Sequence, residues 1–135
     1  MDNQISDDQL RKKLTPQQFA VLRQKDTEPQ FSGPLLHNHD TGMYSCGACG
    51  TQLFSSEHKF DSGSGWPSFY QAAQDKKIVL QTDSSAGMAR TEVLCASCGS
   101  HLGHLFDDAP QTPTGQRYCI NSAALTFHKS APKKV

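Results

Sequence analysis

Two copies of one short pattern, Cys46-Gly47-Ala48-Cys49-Gly50 and Cys95-Ala96-Ser97-Cys98-Gly99, constrain the fold of this chain more than anything else in it. A two-residue gap lets both sulfurs of a pair reach one tetrahedral metal ion at about 2.3 Å. The glycine that follows tolerates the left-handed turn of such a knuckle, which aims backbone N–H groups at the sulfurs. Four thiolates fill the shell of a zinc ion and leave no position for water, so the ion is expected to brace the fold rather than to catalyse. Two other uses of the pattern are weaker. Disulfides suit secreted chains, and Met1-Asp2-Asn3-Gln4 is acidic and polar where a secretion signal is basic and then apolar. A thioredoxin-like redox pair occurs once, beside a βαβ pattern that is missing here. Cys49 and Cys95 stand further apart than the roughly 15–20 residues of a compact zinc ribbon, so the knuckles are expected to join distant strands of one sheet system.

A chain of 135 residues makes one domain, 1–135, with its core expected at about 14–127 and a frayed tail over 129–135. Lys and Arg number 13 against 13 Asp and Glu, so no long-range field draws the chain to nucleic acid or an anionic membrane. No apolar run approaches the roughly 20 residues that span a bilayer. The expected protein is soluble, cytoplasmic and monomeric. Ten glycines and seven prolines scattered among short apolar runs favour a mainly β fold. Helix signals appear only near the start, where Ser6-Asp7-Asp8-Gln9 and Thr15-Pro16-Gln17-Gln18 each read as a cap followed by Gln at the third helical position. In the second of these, Phe19, Leu22 and the stem of Arg23 are placed to share a buried face. Strands are expected at 44–46, 52–54, 78–80, 88–94, 102–106, 117–121 and 125–127, with turns at 40–42, 84–87 and 113–115.

The fifth cysteine, Cys119, is left over from the zinc set. On a strand the side chains of Arg117, Cys119 and Asn121 share one face, while Tyr118 and Ile120 take the other and read as core. A guanidinium beside a thiol favours the thiolate, which is the nucleophilic form. A lone cysteine is more commonly a small buried apolar residue, and the thiol alone leaves both uses open. His101 and His104 lie just past the second knuckle, and two imidazoles with a thiol make a nucleophile and an acid/base set. Their parities are opposite on a regular strand, so both reach one cleft only if the chain bends, which Gly103 allows. A metal held by Cys119 and a histidine lacks a carboxylate or third imidazole at suitable spacing. His37, His39, His58 and His128 sit in polar stretches and are expected to be solvated. The glycine-rich run Phe60-Asp61-Ser62-Gly63-Ser64-Gly65-Trp66-Pro67-Ser68-Phe69 delivers the single tryptophan, which either packs or walls a pocket for a small apolar group such as a methyl.

The knuckle Cys46-x-x-Cys49, the run Ser62-Gly63-Ser64-Gly65-Trp66-Pro67-Ser68-Phe69, Cys95-x-x-Cys98-Gly99-x-His101-Leu102-Gly103-His104-x-Phe106 and Arg117-Tyr118-Cys119-Ile120-Asn121-Ser122, taken together, resemble the methionine sulfoxide reductase B family over about residues 14–127. The resemblance implies two rolled antiparallel sheets of the β-tent kind, short N-terminal helices, one structural zinc on Cys46, Cys49, Cys95 and Cys98, and no organic cofactor. It implies thiol-dependent reduction of methionine-R-sulfoxide in proteins or peptides, a repair of oxidative damage. In that scheme Cys119 attacks the sulfoxide sulfur and His104 or His101, with Arg117, assists protonation of the departing oxygen. Cys119 is left as a sulfenic acid. Trp66 and Phe106 then wall the methyl pocket, and Asn121 helps hold the thiolate face; Asp107 and Asp108 receive no role.

One departure matters. Many members of that family carry a resolving cysteine where this chain has Ser64, so the expected reductant is thioredoxin or a small thiol acting directly on the Cys119 sulfenic acid. Two other classes compete with this reading. A zinc-built binding module, of the chaperone or exchange-factor kind, has no reason to assemble the Arg117-Cys119-Asn121 face. A cysteine hydrolase needs an oxyanion hole, which no segment announces.

Overall fold

The computed structural model describes residues 7–24, 26–83 and 90–129. Helices α1 (Asp7–Lys13) and α2 (Pro16–Gln24) come first. The cap predicted for α2 is formed reciprocally: the Gln18 N–H donates to Thr15 Oγ1 at 3.2 Å and the Thr15 N–H to Gln18 Oε1 at 2.9 Å. The cap predicted at Ser6 lies outside the described residues. Phe19, Val21 and Leu22 of α2 are buried. Arg23 does more than cover them with its stem, because its Nη1 donates to the Cys98 carbonyl at 3.1 Å and to Ser100 Oγ at 3.3 Å, tying the helix to the second knuckle.

The strands are β1 (Gly42–Cys46), β2 (Gln52–Ser55), β3 (Lys59–Phe60), β4 (Ser68–Phe69), β5 (Ile78–Asp83), β6 (Arg90–Cys95), β7 (His101–Phe106), β8 (Arg117–Ile120) and β9 (Leu125–Lys129). They form two antiparallel sheets, one in the order β2-β1-β9 and one in the order β3-β4-β8-β7-β6-β5. All seven expected strands are present, six within one or two residues of their predicted bounds and β5 running three residues past its predicted end, while 88–89 of the strand expected at 88–94 lie outside the described residues; the two-residue strands β3 and β4 are additions. Gly42, expected in a turn, instead opens β1, where an added Cβ would strike the His128 carbonyl oxygen. Lys129 closes β9 opposite Gly42 rather than starting a tail. The predicted turn at 84–87 and the tail from 130 onward lie outside the described residues.

The sheets meet through aromatic side chains. Phe54 stacks on Phe69 with centroids 4.6 Å apart, Tyr44 meets Phe69 edge-on at 5.1 Å, and Tyr118 lies 5.6 Å from Phe54. Each such pair contributes about 0.5–1.5 kcal/mol beyond its buried area. Tyr118 and Ile120 point into this core as their parity predicts, and that orientation turns Cys119 to the opposite face of the sheet.

Strand β7 carries a bulge. Gly103 pairs with Val93 but His101 pairs with Leu94, so Leu102 is an extra residue opposite the Val93–Leu94 step. The insertion resets the alternation and brings the rings of His101 and His104 to 5.5 Å. Both histidines therefore serve one side, but through an extra residue at Leu102 rather than through a bend at Gly103. Gly103 is needed for space: a Cβ there would lie on the Cys119 carbonyl oxygen of the neighbouring strand.

Candidate active site and sulfur cluster

Cys46 ends β1 in one sheet and Cys95 ends β6 in the other, so the two knuckles pin separate sheets together. Their four sulfurs all lie within 4.8 Å of one another and can hold one metal ion. The separations Cys46–Cys98, 3.7 Å, and Cys49–Cys95, 3.6 Å, are close to the roughly 3.8 Å edge of a tetrahedron with 2.3 Å metal–sulfur bonds. No disulfide is formed. Gly50 and Gly99 take the predicted positive φ, 82° and 77°, but their N–H groups donate to the Cys46 and Cys95 carbonyls at 2.8 Å. The backbone N–H groups of Thr51 and Ser100 hydrogen-bond to Cys49 and Cys98, as expected of such knuckles, and their hydroxyls reach the same sulfurs: Thr51 Oγ1 lies 3.1 Å from Cys49 Sγ, and Ser100 Oγ 3.1 Å from Cys98 Sγ. Crowding divides the protons unevenly. Hydrogen bonding from Cys46 lowers Cys49 to about 6 against the cost of burial, and Cys46, which shares its proton with its neighbours and is buried among them, is pushed far up.

The remaining thiol stands at the centre of a row that crosses the second sheet. Ser68 of β4, Cys119 of β8, His104 of β7 and Glu92 of β6 are successive cross-strand partners, so their side chains share one face. A cleft of about 80 Å³ opens over this row, with Trp66, Phe106 and His104 around Cys119 and with Thr27, Arg90 and Asn121 at its margin. Cys119, His104, Trp66, Phe106 and Asn121, expected to share one site, all line this cleft.

Arg117 approaches the sulfur closely. Its Nη1 donates to Cys119 Sγ at 2.7 Å while Nε and Nη2 donate to the two carboxylate oxygens of Asp108, each at 2.9 Å. The guanidinium also lies over the Phe106 ring, 4.5 Å from its centroid. Asp108, hydrogen-bonded to Arg117, is held below the usual carboxylate range, and Arg117 is raised by the same pairing and by Cys119. Asp107 lies beside it and accepts from Gln116 Nε2 at 3.3 Å. Ser64 Oγ and Ser68 Oγ are 3.5 and 3.7 Å from the sulfur.

The two histidines have different surroundings. His104 lines the cleft and pairs across the strands with Cys119. His101 is buried, and its Nδ1 lies 2.7 Å from Glu92 Oε2, also buried. Access to the cleft therefore distinguishes His104 from His101. Among the histidines expected to be solvated, His37, His39 and His128 are exposed, but His58 is partly buried beside Gln71 and the Tyr70 ring.

Glu28, in a segment without secondary structure, links the cleft's margins and escaped sequence reasoning. Its carbonyl accepts from Trp66 Nε1 at 2.9 Å, its N–H donates to Asn121 Oδ1 at 3.0 Å, and its buried Oε1 accepts the Ala123 N–H at 2.8 Å. Asn121 Nδ2 donates to the Leu102 carbonyl at 2.9 Å, so both ends of that amide are committed to the backbone. Ser68, Glu92, Asp108, Thr27 and Arg90 were likewise unassigned from sequence; only strand register, once known, picks out Ser68 and Glu92.

A small two-sheet β fold clasped by four cysteines, with a single spare thiol held against an arginine in a cleft, defines a narrow class of thiol proteins. Residues 14–129 match the SelR domain, and this chain belongs to that family, which includes the peptide methionine sulfoxide reductases of the B type. It is 59% identical over 124 residues to "Peptide methionine sulfoxide reductase MsrB" of Leptospira interrogans, covering 92% of this chain and 94% of that protein. The protein of the same name from Methanosarcina mazei is 55% identical over 124 residues, 92% of this chain and 88% of the relative. "Methionine-R-sulfoxide reductase B3, mitochondrial" of Mus musculus is 54% identical over 123 residues, which are 91% of this chain and 48% of that longer protein. Among the described residues no helix is long and apolar enough to cross a membrane.

Proposed function

We propose that this protein reduces methionine-R-sulfoxide in peptides and proteins to methionine, with Cys119 as the nucleophile. The observation that carries this reading is the single cysteine outside the sulfur cluster, its Sγ 2.7 Å from Arg117 Nη1 in a cleft walled by Trp66 and Phe106. Guanidinium N–H donation favours the ionised sulfur. The thiolate attacks the sulfoxide sulfur, its electron pair forms the S–S bond, and the sulfoxide oxygen takes a proton. His104, beside Cys119 on the next strand, is the proton donor; His101 supports it from behind, and Arg117 steadies the charge. The hydroxyl then passes to Cys119 Sγ as the new S–S bond and the sulfoxide S–O bond break, which releases the thioether and leaves a sulfenic acid. The cleft of about 80 Å³ suits the methyl end of a side chain, which sets the small apolar group between Trp66 and Phe106.

Ser64 faces Cys119 where a resolving thiol would stand, and a hydroxyl forms no disulfide. Regeneration therefore falls to an external thiol, thioredoxin or a small dithiol: one sulfur attacks the sulfenic acid and expels water, and a second thiol breaks the mixed disulfide. Cys46, Cys49, Cys95 and Cys98 would hold a zinc ion, whose role would be to cross-link the two sheets rather than to meet substrate. A deciding experiment supplies peptides with each sulfoxide epimer and dithiothreitol to the protein and to Cys119→Ser. Loss of the R epimer alone, and only with Cys119 present, is expected; equal turnover by both proteins would refute the proposal.

A further inference from the structure

The loop between β3 and β4 surrounds Cys119 with three hydroxyls whose protons can be counted. Ser62 Oγ donates to Ser64 Oγ at 2.8 Å and lies 2.7 Å from Ser68 Oγ; Ser64 and Ser68 lie 3.5 and 3.7 Å from Cys119 Sγ. Ser68, almost wholly buried, donates to the Trp66 carbonyl at 3.0 Å. Each hydroxyl has one proton to give. With the Ser62 proton on Ser64 and the Ser68 proton on the Trp66 carbonyl, the Ser64 proton is left to point to the sulfur.

We propose that Ser62 and Ser64 form a hydroxyl relay that donates in series into Cys119 Sγ and, with Arg117, holds the sulfur ready as the nucleophile. The inference rests on the Cys119 chemistry proposed above. Hydrogen bonds in series polarise one another, so the end of the chain donates more strongly than an isolated serine. Rotation alone resets the relay. When the sulfur carries a proton, its S–H donates to Ser68, Ser62 turns to Ser68, and Ser68 donates to the Trp66 carbonyl. Ser62 touches no reacting atom and is a positioning residue acting through Ser64.

The test follows alkylation of Cys119 by iodoacetamide, read by peptide mass separately from the four clustered cysteines. Ser62→Ala is expected to slow it about fivefold near neutral pH, the loss of about one hydrogen bond. The gap should close in alkali, where every thiol is ionised, and Ser62→Thr, which keeps the hydroxyl, should react like the parent. Ser64→Ala, at a partly exposed site, removes the last link and should behave like Ser62→Ala. Parent-like rates in both alanine variants, or a deficit that persists unchanged in alkali, would overturn the relay. Alkylation needs no sulfoxide, so its result is independent of which substrate the protein turns over.

Discussion

Arg117 is held at both ends: Asp108 takes its Nε and Nη2 at 2.9 Å, and its Nη1 is thereby delivered to Cys119 Sγ at 2.7 Å. A planar fork can grip a carboxylate and still spend a third N–H on sulfur, whereas an ammonium is a single point charge. Arg117→Lys should therefore behave almost as poorly as Arg117→Ala. A charge-assisted hydrogen bond is worth about 2 kcal/mol, so kcat/KM with a sulfoxide peptide should fall roughly 30-fold in both. A lysine variant with parent-like kcat/KM would show that charge alone suffices.

Asp108 touches no reacting atom and acts through Arg117. Asp108→Asn keeps the shape but gives up the ionic grip, so kcat should fall about threefold with KM little changed. Because Arg117 lowers the Asp108 carboxyl, its contribution to stability is present above the ordinary carboxylate range and is lost as pH falls through the lowered value. The Tm difference between parent and Asp108→Asn, small because the carboxylate is exposed, should accordingly shrink on acidification. A difference that widened there would contradict this sign.

His104 and His101 should separate in kinetics. His104 lines the cleft and His101 is buried against Glu92. His104→Gln removes the proposed proton donor and should lower kcat about 100-fold with the fold intact. His101→Gln leaves Glu92 buried without its imidazole, so its main cost should be stability, about 3 kcal/mol, read as a lower Tm. The reverse pattern would exchange the two roles.

How much of this was legible in the sequence depended on the range of the signal. The knuckles, the Thr15–Gln18 box and the parity of 117–121 are local patterns whose physics is complete within a few residues, and each appears as predicted. Strands β3 and β4 have two residues each and show no periodicity, yet β4 sets Ser68 beside Cys119. The extra residue at Leu102 is visible only against the register of β6. Glu28 works mostly through its main chain, which side-chain chemistry does not announce.

Metal removal should act on the fold before it acts on turnover. Cys46 and Cys95 end strands of different sheets, so an ion on the four sulfurs would cross-link the sheets, and its release would leave them held by their shared core alone. Titration with a zinc chelator should lose circular dichroism and activity along one curve, one zinc per chain being released. Activity lost at full circular dichroism would place the metal in the reaction instead.

Gly103 isolates the part that strand spacing has in the site. Its φ is ordinary, so the glycine is not needed for a left-handed turn; what forbids a side chain is the Cys119 carbonyl oxygen, which an added Cβ would overlap. Gly103→Ala must push β7 from β8 at the step that sets His104 beside Cys119. Overpacking of this kind costs about 1–3 kcal/mol, and about 2 kcal/mol lowers Tm by roughly 5–10 °C in a domain of this size. Gly63→Ala is the matched control: its Cβ would meet nothing within 4 Å, and the substitution bears only the strain of φ 74°. Calorimetry of the two variants should show the larger Tm loss at Gly103, accompanied there by lost turnover. A Gly103→Ala protein as stable as Gly63→Ala would mean that the two strands have room to part, and that the His104–Cys119 spacing is not fixed by the sheet.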